Sequence, residues 1–279
     1  MGVKSVSGDI PLIAIICRGG AKVRTCVMAG FARGVLIAAL LLGGWEAAVR
    51  LAGVPAYILP APSRIAVALW SNRAVLFDNA LITLGEILLG LACGTALGLA
   101  CALAMATSPN VRYAMRPVLL VAQALPVFAI APLLVIWFGF GLASKIIMAS
   151  LIIFFPVASA FHDGLARADR GLVDLARLYG AGDLSTLRVI RMPSALPALA
   201  SGLRVATAAA PIGAVVGEWV GSSAGLGYLM IYANARMQTD MVFAALAILL
   251  AMAILLFALV DRALARLIPW APETGSPGD

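Results

Sequence analysis

Residues 163–193 read DGLARADRGLVDLARLYGAGDLSTLRVIRMP, a charged interruption between two long apolar runs, and this stretch decides the architecture. Leu172, Val173, Leu175, Ala176, Leu178 and Tyr179 predict a short apolar helix, which Gly180 stops with a left-handed residue. Asp183 stands where an N-cap belongs, ahead of a second helical piece over 184–192 that Pro193 closes. The expected unit is helix, Gly-Ala-Gly turn, helix. Its exposed apolar side chains need cover, either from lipid headgroups or from a groove on another protein.

Outward from this segment the chain is apolar enough to exclude a water-soluble domain. Of 279 residues, 63% are hydrophobic and 12% charged, against about 45–50% and about 25% in soluble domains. Six stretches have the length of a membrane span: 31–50, 79–106, 117–138, 143–162, 195–217 and 241–261. Lysine and arginine sort between alternate loops. Lys4, Arg18, Lys22, Arg24, Arg33, Arg112, Arg116, Arg167, Arg170, Arg177, Arg188, Arg191, Arg262 and Arg266 fall on one side. Arg50, Arg64, Arg73, Lys145 and Arg236 fall on the other, and Arg204 within a span. The positive-inside rule then places both termini and the 163–193 loop in the cytoplasm. The net charge of +7 is therefore a matter of topology, and no nucleic-acid partner is expected. Residues 1–30 read as a cytoplasmic N-terminal segment whose folding the sequence leaves open, 31–268 as the membrane domain, and 269–279 as a short polar tail.

Within the spans, Gly90, Gly94 and Gly98 line one face of the second helix, a groove that lets another backbone approach closely. Pro126, Pro132, Pro156, Pro197 and Pro211 interrupt the third to fifth spans, as expected of helices that surround a pathway. Glu46, Glu86 and Arg204 are charges at membrane depth that need partners, and Glu86 with Arg204 is the expected ion pair. In the loop before the last span, Glu218 and Trp219 are pathway candidates that can accept a hydrogen bond from an aminopyrimidine and stack on its ring. Arg236 is the candidate partner of Glu218. Cys17, Cys26, Cys93 and Cys101 fit neither a metal motif nor a disulfide framework, and no metal site is expected. The short apolar run Ile10–Cys17, followed rather than preceded by positive charge, does not read as a signal peptide. No GxxxxGK[ST] phosphate loop is present, since 139–145 lacks that spacing, so no ATP site is expected on this chain.

The loop also carries a resemblance. Asp174-Leu175-Ala176, three residues, Gly180, nine residues, Ile190, then Met192-Pro193 has the spacing of the motif Glu-Ala-Ala, three residues, Gly, nine residues, Ile, one residue, Leu-Pro. That motif belongs to permease subunits of bacterial ATP-binding-cassette importers, and Asp174, Leu175 and Met192 depart from it. The resemblance implies an all-α membrane protein with the six-helix, type I importer permease fold. It further implies a cytoplasmic coupling helix, in which Asp174, Leu175, Ala176 and Gly180 dock on an ATPase subunit while Ile190 and Pro193 lead back to the membrane. From Leu59 onward, LPAPS at 59–63, APLLVIWFGFG at 131–141 and FFP at 154–156 resemble the branch that imports sulfonates, taurine, nitrate and thiamine pyrimidine precursors. The stretches EWVGSS at 218–223 and NARMQTD at 234–240 are most similar to hydroxymethylpyrimidine-type permeases. The implied function is ATP-driven uptake of a thiamine pyrimidine precursor by alternating access at the bacterial inner membrane, with an aliphatic sulfonate, taurine or nitrate as the alternative cargo. The implied partners are an ATPase subunit that holds ATP and Mg, an extracytoplasmic binding protein and a second copy of the chain. An ion-driven secondary transporter is the remote alternative; it calls for mid-membrane carboxylates and two related halves.

Overall fold

A computed structural model describes residues 36–124 and 126–270. The segment 1–30, Cys17, Cys26, the start of the first expected span and most of the 269–279 tail lie outside them. In chain order the helices are α1 (36–51), α2 (Pro62–Ser71), α3 (Arg73–Thr107), α4 (Pro109–Ala124), α5 (Val127–Phe138), α6 (Leu142–Ala166), α7 (Arg170–Leu178), α8 (Asp183–Thr186), α9 (Met192–Gly221), α10 (Leu226–Ala235) and α11 (Thr239–Leu267). The chain divides into two compact bodies, Met1–Arg64 and Ile65–Asp279.

In the first body Glu46 has partners. Its carboxylate accepts from the Ser63 hydroxyl at 2.7 Å and the Ser63 amide at 3.0 Å, and it pairs with Arg50 at 2.5 Å. The Leu-Pro-Ala-Pro-Ser segment is thereby tied back to the end of α1.

In the second body, four runs are long and apolar enough to cross a membrane: α3, α6, the continuous stretch Asp183–Gly221, and α11. A fifth crossing is made if α4 and α5 count as one span bent by 104°. The expected third span, 117–138, is thus two helices rather than one. Pro126 ends the break between them as the N-cap of α5. Pro132, Pro156, Pro197 and Pro211 sit inside helices that continue through them.

Helix α6 is the centre of this body, packed against α3 on one side and α9 on the other. Glycine makes this possible. A β-carbon on Gly94 would lie 2.7 Å from Ile153 Cβ, and one on Gly98 2.9 Å from Val157 Cβ; Gly90 abuts Ala149. From the other flank, a β-carbon on Gly213 would lie 2.8 Å from Ala149 Cα, and one on Gly202 2.7 Å from the Pro156 carbonyl oxygen. The predicted glycine face of α3 therefore receives α6. The core it seals is built from small side chains, Ala149, Ala206, Ala210 and Ala214 among Ile87, Ile153 and Val157. Lipid supplies no hydrophobic drive for helices to associate, so this contact depends on close van der Waals approach.

The 163–193 loop forms the predicted pair of helices with two differences. Gly180 has φ +79°, the left-handed stop expected of it. Asp183 is not an N-cap: Gly182 occupies that place, and Asp183 lies in the first turn, where its charge favours the helix start, 3.5 Å from Arg177. Nor does Pro193 close the second piece. A five-residue π turn, Leu187–Arg191, carries α8 directly into α9, and the helix passes through Pro193, the second residue of α9. The wide turn, in which the Met192 amide bonds to the Leu187 carbonyl, keeps the helix continuous ahead of that proline. The last part of the expected loop, 183–193, is thus a helical extension of the fifth expected span.

Candidate functional site

Two polar regions sit at opposite ends of the second body. At the arginine-poor end, α3 carries Asn79, Thr83 and Glu86 at successive helical turns of one face. Facing them are Lys145 from the first turns of α6, Glu218 near the end of α9, and the turn into α10. Lys145 Nζ donates to Glu86 Oε1 at 2.6 Å. Thr83 donates to Glu218 Oε1 at 2.6 Å and accepts from the Leu226 amide at 2.8 Å. The Gly227 amide donates to Glu218 Oε2, and Asn79 Oδ1 accepts from the Gly225 amide at 2.7 Å. Glu86, Thr83 and Glu218 are fully buried.

Gly225 explains how the turn fits. Its φ of +110° suits glycine, and a β-carbon there would overlap the Glu218 carboxyl. Glu218 is thus the fastener of the α9–α10 turn. Thr83→Val removes both the donor to Glu218 and the acceptor of the Leu226 amide while keeping the shape. The expected cost is about 1–3 kcal/mol, seen as a lowered melting temperature of the detergent-solubilised protein; an unchanged melting temperature would contradict this role.

The cluster holds two carboxyls and one ammonium, and Glu218 lies close enough to Glu86 for the two carboxyls to feel each other. Glu86 Oε2 is buried with no hydrogen-bond donor among the described residues. A cavity of about 380 Å³ opens beside it, with Glu86 and Lys145 among its lining, walled by Ile82, Phe140 and Leu142 and rimmed by Ser222 and Ser223.

Sequence reasoning paired Glu86 with Arg204, and the structure corrects this. Arg204 Nε instead donates to Asp261 at 2.6 Å, joining α9 to α11, and Glu86 takes Lys145. Lys145 was counted as a loop charge because it stands near the start of an apolar run; its side chain is only 8% exposed. An isolated cation two residues inside a predicted span was the available signal. Trp219 is half exposed. Arg236 is not the partner of Glu218; its guanidinium lies 4.0 Å from the centre of the Tyr232 ring.

At the arginine-rich end, α7 begins at Asp169, whose side chain caps the Gly171 amide at 2.7 Å. No residue of α7 is buried, and Leu172, Leu175, Leu178 and Tyr179 present apolar surface. The motif residues Asp174, Leu175 and Ala176 lie on this helix and Gly180 on its turn. Ile190 and Pro193 lie on the continuous helical run into the span. A groove of about 730 Å³ lies between α7 and the end of α3, with Asp174, Asp183, Arg112, Arg170, Arg177 and Arg191 among its lining.

An apolar helical bundle with an uncovered amphipathic helix at one end defines the class, a multi-pass membrane subunit with a surface for a partner. Residues 94–271 match the model of the binding-protein-dependent transport system inner membrane component. The chain belongs to that family and is the permease subunit of an ABC importer. A probable ABC transporter permease protein of Haemophilus influenzae is 49% identical, covering 84% of this chain and 96% of the relative. The riboflavin transport system permease protein RibX of Chloroflexus aurantiacus is 39% identical over 83% and 87%. The formylaminopyrimidine transport permease protein ThiX of Halalkalibacterium halodurans is 36% identical over 83% and 92%. Among solved structures, a chain of the inward-facing MetNI methionine ABC transporter superposes with a TM-score of 0.61 at 18% identity, covering 71% of this chain and 98% of that one. That likeness is one of fold.

Proposed function

We propose that the chain imports a planar nitrogen heterocycle, a thiamine pyrimidine precursor before others, as one half of a homodimer in the bacterial inner membrane. The arginine-rich end faces the cytoplasm with both termini, an extracytoplasmic binding protein delivers the cargo to the opposite end, and ATP and Mg bind on a partner ATPase. The observation that carries this reading is α7. It is a capped helix with no residue buried, ended by a left-handed Gly180 and followed by a continuous helix long and apolar enough to cross a membrane. A helix so placed can transmit the closure of a docked ATPase into α9. ATP binding brings two such helices together and opens the spans outward; hydrolysis resets them.

The cargo reading is supported by the relatives named for formylaminopyrimidine and riboflavin, both nitrogen heterocycles. The sulfonate or taurine alternative has the support of a taurine transport system permease protein of Escherichia coli at 30% identity. The two buried carboxyls against one ammonium at the receiving end favour a cargo without negative charge.

Gly180→Arg tests the coupling. Nothing lies within 4 Å of a β-carbon at Gly180, so the substitution leaves the bundle intact but adds about 1–2 kcal/mol of left-handed strain and a long cation at the docking turn. The expected result is at least a tenfold loss of the ATPase stimulation by loaded binding protein in the reconstituted complex, with membrane insertion unchanged. Wild-type stimulation would refute the assignment of α7.

A further inference from the structure

We infer that the permease carries its own cargo subsite in the cavity beside Glu86 and Lys145, selective for a ring edge that presents a hydrogen-bond donor next to an acceptor. This inference rests on the heterocycle reading above and specifies where that cargo is held. Three observations converge. The cavity, about 380 Å³, falls in the range of about 300–1,000 Å³ typical of small-molecule sites. Its walls are apolar and partly aromatic, from Ile82, Phe140 and Leu142, and suit a flat ring. Glu86, among its lining, is fully buried, yet Oε2 lacks a donor among the described residues. A buried acceptor left open in this way costs about 1–3 kcal/mol, and a cargo N–H recovers it.

Lys145 supplies the second half of the recognition. Its ammonium has three protons, and one bond goes to Glu86 Oε1 at 2.6 Å. A ligand acceptor placed beside the donor meets the ammonium while the donor meets Glu86 Oε2. A 4-aminopyrimidine has this edge, a ring nitrogen that accepts next to an exocyclic amine that donates. A sulfonate has acceptors and no donor. It leaves Glu86 Oε2 open and brings a negative charge to a cluster that already holds the Glu86 and Glu218 carboxyls. Glu218 is occupied in fastening the turn whose residues Ser222 and Ser223 rim the cavity, so the clamp fixes the rim without entering the site.

The test is equilibrium binding of radiolabelled hydroxymethylpyrimidine to the permease–ATPase complex in lipid nanodiscs, without the binding protein. Methanesulfonate, which has acceptors and no donor, serves as the anionic competitor. Wild type is expected to bind saturably and without competition from methanesulfonate. Ser223→Trp, which fills the cavity from an exposed rim position, and Glu86→Gln, which keeps the shape of the acceptor, are expected to weaken binding at least tenfold. Transport driven by the loaded binding protein is measured in parallel. Transport of the pyrimidine with no saturable binding to the complex, or with equal binding in all three proteins, overturns the subsite and leaves the cargo reading standing. A binding protein that neither binds nor delivers the pyrimidine overturns the cargo reading, and the subsite falls with it.

Discussion

Lys145→Met is expected to cost about 3–5 kcal/mol, the penalty for removing one partner of a buried ion pair. The ammonium is the one positive charge among the described residues of a cluster that also holds Glu86 and Glu218, and both carboxyls are buried. Without it Glu86 keeps a buried charge with no cation beside it, or takes up a proton to lose it. Either course is paid from the folded state. Heat-induced unfolding in detergent should show a sharp fall in the melting temperature, with reduced yield from the membrane. The double variant Lys145→Met with Glu86→Leu removes both charges together and is expected to recover a large part of the loss, because the mutual attraction mainly offsets the cost of burying the pair. Equal melting temperatures for Lys145→Met and wild type would show that the pair contributes nothing to stability.

Gly94→Leu is expected to be nearly as damaging, for a steric reason. A β-carbon alone would stand 2.7 Å from Ile153 Cβ, 2.8 Å from its Cγ2 and 2.9 Å from the Ser150 carbonyl oxygen, and leucine adds three more carbons. Overpacking of a close core costs about 1–3 kcal/mol or more. Here α6 has no room to retreat, since Gly213 and Gly202 of α9 press on its other side. Gly43→Leu is the control, with nothing within 4 Å of its β-carbon; the expected change is within about 0.5 kcal/mol. The comparison is made by size-exclusion recovery after heating. Parallel behaviour of the two variants would refute the helix sandwich.

The apolar runs made the helices legible because hydropathy is a property of each residue with its near neighbours. The same holds for the Gly180 turn, where the residue type itself permits the left-handed backbone. The glycine face of α3 was readable from its period, though not the partner that fills it. Partners across space were less accessible. Glu86 lies 59 positions from Lys145, and Thr83 lies 135 from Glu218. No local pattern distinguishes Lys145 from Arg204 as the cation that reaches Glu86. Asp261, the actual partner of Arg204, stands at the very edge of an expected span.

Local chemistry also misjudged two boundaries. Asp183 resembles an N-cap and Pro193 a stop, and in isolation each reading is sound. In the fold the helix starts one residue earlier and continues through a π turn, because the body of α9 holds the following residues helical and makes the extension favourable.

By itself the sequence determined that this is an all-helical membrane permease of an ABC importer, because segment length, apolar content and motif spacing are written along one dimension. The tertiary structure alone decided which charges neutralise each other, that Glu218 fastens a turn, and that the end of the loop, from Asp183 onward, is an extension of a span. Those outcomes depend on which helix faces which, and that is set by close packing of small residues around α6 rather than by any residue's own preference.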